Sequence, residues 1–236
     1  MSELRGRTTR PRLLDLFCGA GGCSEGYARA GFDVVGVDLV EQPRHPHTFI
    51  QADALTFLDE GGAEGFAAVH ASPPCHAFSS LRRLNAPKDY PDLIAPVRQR
   101  LRALGVPYVI ENVVGAPLEN PTKLCGSSLG LHVRRHRLFE TNWPLWAPPC
   151  AHGAQLVPRY PVGLGSASRC NQTSSPIAYV YGSTRYRGEL AHRREAMGID
   201  WMTNAELTQA IPPAYTELIG HQLMAVVASW GARAAA

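Results

Sequence analysis

Short apolar runs alternate with helix-spaced segments along the first 140 residues. Residues 12–17 (Arg-Leu-Leu-Asp-Leu-Phe) have strand length and lead into the glycine cluster Gly19-Ala20-Gly21-Gly22. The pattern predicts a helix over 23–30, stopped at Gly31, and then a buried strand over 32–37 that ends in Asp38. Strand, glycine turn, helix and a second strand ending in an acid make one βαβ unit, and such units build parallel sheets. Further strands are expected at 48–52, just before Asp53, and at 66–71, running into Ser72-Pro73-Pro74-Cys75. Another is expected at 108–110, closing on Glu111-Asn112, and one more contains Leu138-Phe139. Over 94–104, Ile94, Val97, Leu101 and Leu104 share one face of a predicted helix, with Arg98, Arg100 and Arg102 off it. Pro96 is tolerated there because it falls in the first turn, and Gly105 ends the helix.

From 142 to 187 the periodicity dissolves into Pro, Gly, Ser and aromatic residues, the mark of a functional loop or a small irregular subdomain. Helices return over 189–197, 204–210 and 214–230, with Asn204 the expected cap of the second. The chain thus reads as an α/β protein, one domain carrying a small insert, with no internal repeat. The 22 Gly and 19 Pro agree with a loop-rich chain. No apolar run approaches a membrane span, and Asp15 interrupts the only run near the N-terminus that resembles a signal core. No membrane partner is therefore expected, and a cytoplasmic, monomeric protein is. Six cysteines are too sparse for a disulfide scaffold and read as free thiols. The 23 basic and 20 acidic residues give a net charge of +3, and Lys88 and Lys123 are the only lysines. Arginine forks onto phosphates and base edges as lysine cannot, but a GC-rich genome gives the same bias, so composition alone does not decide on nucleic acid.

Four places carry chemistry. A glycine turn after a strand lets backbone N–H groups approach a ligand. Here the dinucleotide pattern fails at Ser24 and no phosphate-loop lysine follows, so a pyrophosphate is not the obvious guest. Asp38 is placed to accept from a ribose. The two prolines at 73 and 74 stiffen the backbone and project Cys75, a candidate nucleophile, from the sheet edge. Glu111 ends a neighbouring strand, where a carboxyl in an apolar pocket can keep a proton near neutral pH. Arg134-Arg135-His136-Arg137 is either a solvated cationic face or a clamp for phosphates and a reacting ring.

In this order the four pieces resemble the DNA (cytosine-5) methyltransferase family. The segment 14–22 resembles its S-adenosylmethionine loop, Pro74-Cys75 its catalytic Pro-Cys, Glu111-Asn112-Val113 its Glu-Asn-Val, and Arg135-His136-Arg137 its Arg-x-Arg. The segment 210–220 resembles the family's closing segment. Three departures stand out: His76 replaces the usual Gln after Pro-Cys, Val133 the usual Gln before Arg-x-Arg, and Gln209-Ala210-Ile211 before Pro212-Pro213 stands for the usual Gly-Asn-Ala-Val, without its Asn.

The resemblance implies a Rossmann-like, S-adenosylmethionine-dependent methyltransferase fold. A mostly parallel sheet would carry helices on both faces, with a catalytic domain over 1–141 and 188–236 and a small target-recognition region over 142–187. It implies S-adenosylmethionine as methyl donor, held by Phe17, Gly19, Ala20, Gly21 and Gly22. Asp38 and Leu39 would lie at the ribose, Asp53 and Ala54 at the adenine, and Pro74 would line the pocket. Double-stranded DNA is the implied partner, its cytosine flipped out of the helix. Cys75 would add to C6, Glu111 would protonate N3, and Arg135 and Arg137 would stabilise the ring's O2 side, the thiolate or a phosphate. The alternatives are cytosine in RNA, another group carried by a modified donor, or a non-catalytic DNA-binding relative. No metal is expected: Cys150, His152 and Cys170, with Cys125 nearby, are soft ligands, but Cys-x-His is not a standard zinc spacing. Arg159, Arg169, Arg185 and Arg187, interleaved with Tyr160, Tyr179 and Tyr181, read as a DNA-facing surface.

Overall fold

The computed structural model describes residues 10–74, 92–154 and 190–234. Its strands are β1 (Arg12–Leu16), β2 (Asp33–Asp38), β3 (Thr48–Gln51), β4 (Ala68–Ala71), β5 (Tyr108–Asn112), β6 (Thr122–Leu124) and β7 (Arg137–Thr141). They form one seven-stranded sheet in the order β3-β2-β1-β4-β5-β7-β6. β1 to β5 pair parallel with one another, and β7 lies antiparallel between β5 and β6. The described helices are α1 (Gly22–Arg29), α2 (Ala54–Asp59), α3 (Ile94–Leu104), α4 (Leu190–Met197), α5 (Asn204–Gln209) and α6 (Pro213–Ala234).

The near-continuous apolar runs follow from burial on both faces. Leu13, Val34, Ala68, Val109 and Phe139 project to one face, where α1 and α6 supply Tyr27, Tyr215, Ile219 and Leu223. Leu14, Val35, Val69 and Ile110, one position on in each strand, project to the other, against Leu58 of α2 and Val97 and Leu101 of α3. The fold is therefore the expected Rossmann-like one, a mostly parallel sheet with helices on both faces. Gly26 sets the approach of α1 to α6: a Cβ there would lie 2.1 Å from the carbonyl oxygen of Pro213.

Three elements differ from expectation. α2 and β6 carry no usable periodicity, being six and three residues long. The cap of α5 is Thr203 rather than Asn204. Its hydroxyl accepts from the Glu206 amide while the Glu206 side chain accepts from the Thr203 amide, a full capping box one residue earlier than the sequence suggests. No helix among the described residues is long and apolar enough to cross a membrane.

Candidate active site

Parallel strands end on a common edge, so the carboxyl ends of β1, β2, β4 and β5 bring together the glycine turn, Asp38, Ser72-Pro73-Pro74 and Glu111-Asn112. The antiparallel sense of β7 completes the edge. Asn112 pairs with Leu138, so Arg137 at the start of β7, with Arg135 and His136 before it, arrives beside the end of β5. Cys75 lies outside the described residues. Its neighbour Pro74 is exposed, and the carbonyl of Pro73 accepts from Asn112 Nδ2 at 2.9 Å, which ties the Pro-Pro segment to β5.

The glycine turn is built for a close guest. Phe17 adopts a left-handed φ of 59°, a strained choice for an aromatic residue and one that concentrates at binding sites. The Gly19 amide donates to Asp38 Oδ2 at 2.9 Å, and the Val40 amide to Oδ1 at 3.0 Å. A Cβ added at Gly19 would meet nothing within 4 Å, whereas one at Gly22 would strike the Ile211 carbonyl at 2.5 Å. Open space thus lies over the first glycine, and tight packing holds the last against the C-terminal segment. Leu39 is 65% exposed beside Asp38, an apolar surface next to a polar anchor. Asp53 caps α2, its Oδ1 accepting from the Thr56 amide at 2.9 Å, and Ala54 is buried behind it. Ala20 is buried against Val133, Met197, Met202 and Leu207, and Trp201 Nε1 donates to the Ala20 carbonyl at 2.8 Å. Val133, at a position where the resembled family places a polar Gln, is here a core residue.

Below the edge runs a buried polar layer. Asp15, His70 and Glu111 stand two positions beyond Leu13, Ala68 and Val109, so strand parity points all three toward α1 and α6. Ser24 of α1 donates to Asp15 Oδ2 and meets His45 Nε2 at 3.0 Å. Burial pushes Asp15 up to about 7 despite the Ser24 bond, with the charges of Asp38 and Glu111 adding to the rise. His70 meets Tyr27 at Nδ1 and Ser72 at Nε2, each at 2.9 Å, and burial holds its pKa down near 3, so it is neutral.

Glu111 is 6% exposed. Burial raises its pKa, against the lowering pull of Arg137, Arg135 and a Ser72 bond. Arg137 Nε lies 3.0 Å from Glu111 Oε1, an ion-pair distance without hydrogen-bond alignment. Arg135 is buried, donates to the Thr208 carbonyl at 2.8 Å, and has its own carbonyl held by the Tyr215 hydroxyl at 2.6 Å. Cys18 and Cys23 are buried, and burial pushes both thiols well up, so neither is a ready nucleophile.

The described candidates from the sequence therefore share one edge. The residues missed are Asp15, Ser24, His45, His70, Ser72 and Trp201. Asp15 and His70 did carry a signal: each is a polar residue inside an otherwise apolar strand, a placement that demands a buried partner.

No family model matches the chain. The type II methyltransferase M.AgeI of Thalassovita gelatinovora is 30% identical to it over 122 residues, 44% of this chain and 28% of that protein. This chain resembles the DNA (cytosine-5) methyltransferases. It spans little more than a quarter of the length of the curated relative it matches. Among solved structures, S. pombe Dnmt2 methyltransferase is 17% identical, with 58% of this chain and 52% of that one covered at a TM-score of 0.42. A mutant of Spodoptera frugiperda DNMT2 is 18% identical, with 58% and 53% covered at a TM-score of 0.41. In this methyltransferase-like chain the glycine turn and the acid–arginine motif meet at one edge of one sheet.

Proposed function

We propose that the chain methylates C5 of cytosine in DNA, with Cys75 as nucleophile and S-adenosylmethionine as donor. The observation that carries this is Glu111, a buried carboxyl with a raised pKa that faces Arg137 on the edge where the Pro-Pro segment and the glycine turn end. The turn fits an adenosyl group. Open space lies over Gly19, Asp38 and Asp53 offer carboxylate oxygens and exposed Leu39 offers an apolar face, and we assign Phe17, Ala20, Gly21, Gly22, Ala54 and Pro74 to the same cofactor site. When bound, S-adenosylmethionine supplies an electrophilic sulfonium methyl.

C5 of neutral cytosine is a poor nucleophile. The Cys75 thiolate adds to C6, and the electron pair displaced toward N3 takes the Glu111 proton. C5 becomes enamine-like and reactive toward the methyl. Arg137 then stabilises the carboxylate left on Glu111, while Arg135, anchored to Thr208 and Tyr215, positions the loop that carries it. After transfer a base removes the C5 proton, the C5–C6 double bond re-forms as the thiolate leaves, and N3 returns its proton to the Glu111 carboxylate. A stacked base is out of reach of these groups, so the cytosine must flip out. We assign 142–187 as the small target-recognition region, with 1–141 and 188–236 as the catalytic part.

Incubation of the full chain with duplex DNA and labelled S-adenosylmethionine should yield 5-methylcytosine on nucleoside analysis. Its absence on DNA of varied sequence overturns the proposal, and label on RNA alone reassigns the acceptor. Cys75→Ala should abolish turnover and leave cofactor affinity within about twofold, since the thiol contributes to chemistry rather than to uniform binding. A covalent adduct with 5-fluorocytosine DNA tests nucleophile and acceptor together.

A further inference from the structure

Outside the cofactor turn, the described residues hold one cluster of soft donors. Cys125 directly follows β6, His136 directly precedes β7, and Cys150 and His152 lie on the chain returning after β7. One donor atom from each side chain lies within 4.8 Å of every other. Cys125 Sγ is 3.3 Å from His152 Nε2, and Cys150 Sγ is 3.4 Å from His136 Nε2. A tetrahedral zinc with Zn–S near 2.3 Å and Zn–N near 2.0–2.1 Å puts neighbouring S and N donors about 3.6 Å apart, close to both distances.

The surroundings support a ligand set rather than chance proximity. Cys125 is fully buried, and the Ser127 hydroxyl donates to its sulfur at 3.2 Å while itself accepting from the Ala151 amide at 3.1 Å. Outer partners of this kind orient metal ligands. Arg134 donates to the His152 carbonyl at 2.9 Å, which fixes the second half of the set.

We propose that Cys125, His136, Cys150 and His152 bind one zinc ion. Two thiolates and two imidazoles in a tetrahedral arrangement favour zinc over hard cations. Four protein donors leave no position for water, so the site is structural. Its placement says what it holds. His136 stands between Arg135 and Arg137, so the metal fixes the tripeptide that faces Glu111. Cys150 and His152 are the last strong anchor before residues 155–189, so the same ion ties the root of that segment to the sheet edge. The expectation of no metal came from the Cys-x-His spacing along the chain. The set depends instead on His136, fourteen positions before Cys150, and does not use Cys170, which lies outside the described residues.

The full chain, purified without chelator from zinc-supplemented culture, should contain about one zinc per molecule by elemental analysis. Replacing the zinc with cobalt should give the intense visible bands of a tetrahedral ion and a near-ultraviolet thiolate-to-cobalt band. His136→Ala and Cys150→Ser should each lower zinc content at least tenfold, Cys170→Ser should leave it unchanged, and Ser127→Ala should weaken zinc binding by roughly tenfold. A chain without zinc that takes up no cobalt, a cobalt spectrum lacking the thiolate band, or a Cys125–Cys150 disulfide overturns the proposal. So does metal that survives His136→Ala but is lost in Cys170→Ser. If a ligand variant fails to fold, the cobalt spectrum of the unaltered chain still decides. None of these readouts uses DNA or methyl transfer, so the zinc site and the proposed activity stand or fall separately.

Discussion

Glu111 and Asp15 are both carboxyls that burial has made reluctant to ionise, with different consequences. Glu111 reaches the site edge and faces Arg137 at 3.0 Å, so its proton can be given to a base and the resulting charge stabilised at once. Glu111→Gln keeps the shape and removes the proton, and turnover should fall by roughly 100-fold or more. In the unaltered protein the rate should fall on the alkaline side as Glu111 ionises, and the residual activity of the variant should lack that limb in a pH–rate profile. Asp15 lies deeper, with Oδ1 unpartnered and its pKa near 7. An unfolded chain ionises Asp15 near 3.8. The folded state holds the proton longer, so the contribution of neutral Asp15 to stability is complete below that value and is lost as pH rises toward 7. Asp15→Asn stays neutral throughout. Denaturation of the two proteins should show the variant gaining on the parent by roughly 3–4 kcal/mol between pH 4 and 7, levelling above. A constant gap would mean that Asp15 ionises as freely as in the unfolded chain.

Two elements hold the C-terminal part of the chain against the glycine-turn side of the sheet. α5 is short, and its capping box supplies what its length cannot. Glu206 serves both that box and a forked pair with Arg44, at 2.7–3.0 Å, on the loop beyond Asp38. Thr203→Ala should cost about 1 kcal/mol in denaturant unfolding and should also weaken cofactor binding, because α5 and the adjoining Trp201 cover the glycine turn. Loss of stability with unchanged cofactor affinity would separate the helix from the pocket. The α1–α6 contact is the second element. Gly26→Ala places a methyl 2.1 Å from both the Pro213 carbonyl oxygen and Thr216 Oγ1, and overpacking of this kind costs about 1–3 kcal/mol, read as a lower denaturation midpoint. In both, the sequence pattern predicts the helices and is silent on the detail that matters, the Thr203 cap and the Gly26 contact. α5 is six residues long, and a glycine in a helix announces a packing constraint only once its neighbour is known.

At the scale of the whole molecule, a net charge of +3 spread over a chain whose basic residues are nearly all arginine gives no strong global field. DNA affinity on the proposed function must then come from local arginines, among them Arg159, Arg169, Arg185 and Arg187. Each replaced by Ala should weaken duplex binding and reduce the slope of log affinity against log salt by about 1 where it contacts a phosphate. An unchanged slope in all four variants would move the DNA surface elsewhere. The parallel character of the sheet, the apolar face of α3 and nearly every long element were legible beforehand, because runs buried on both faces and helix-spaced stripes are strong local signals. α2 and β6 were not, because each spans fewer than two periods of its pattern.

The sequence by itself determined the chemistry available at this edge. Residue type decides which groups can accept, donate or attack, and the order of the glycine turn, Pro-Cys, Glu-Asn and Arg-His-Arg is written along the chain. It also determined the parallel core, since a strand, crossover helix and strand have essentially one way to pair. Only the tertiary structure decided which side each group faces and what stands beside it. The reversal of β7 brings Arg137 to Glu111 rather than to the opposite edge. Strand parity gathers Asp15, His70 and Glu111 into one buried layer, and the return of the chain after β7 carries Cys150 and His152 back to Cys125 and His136. These proximities join residues 14 to 96 positions apart, and distances of that kind are fixed by packing, not by local propensity.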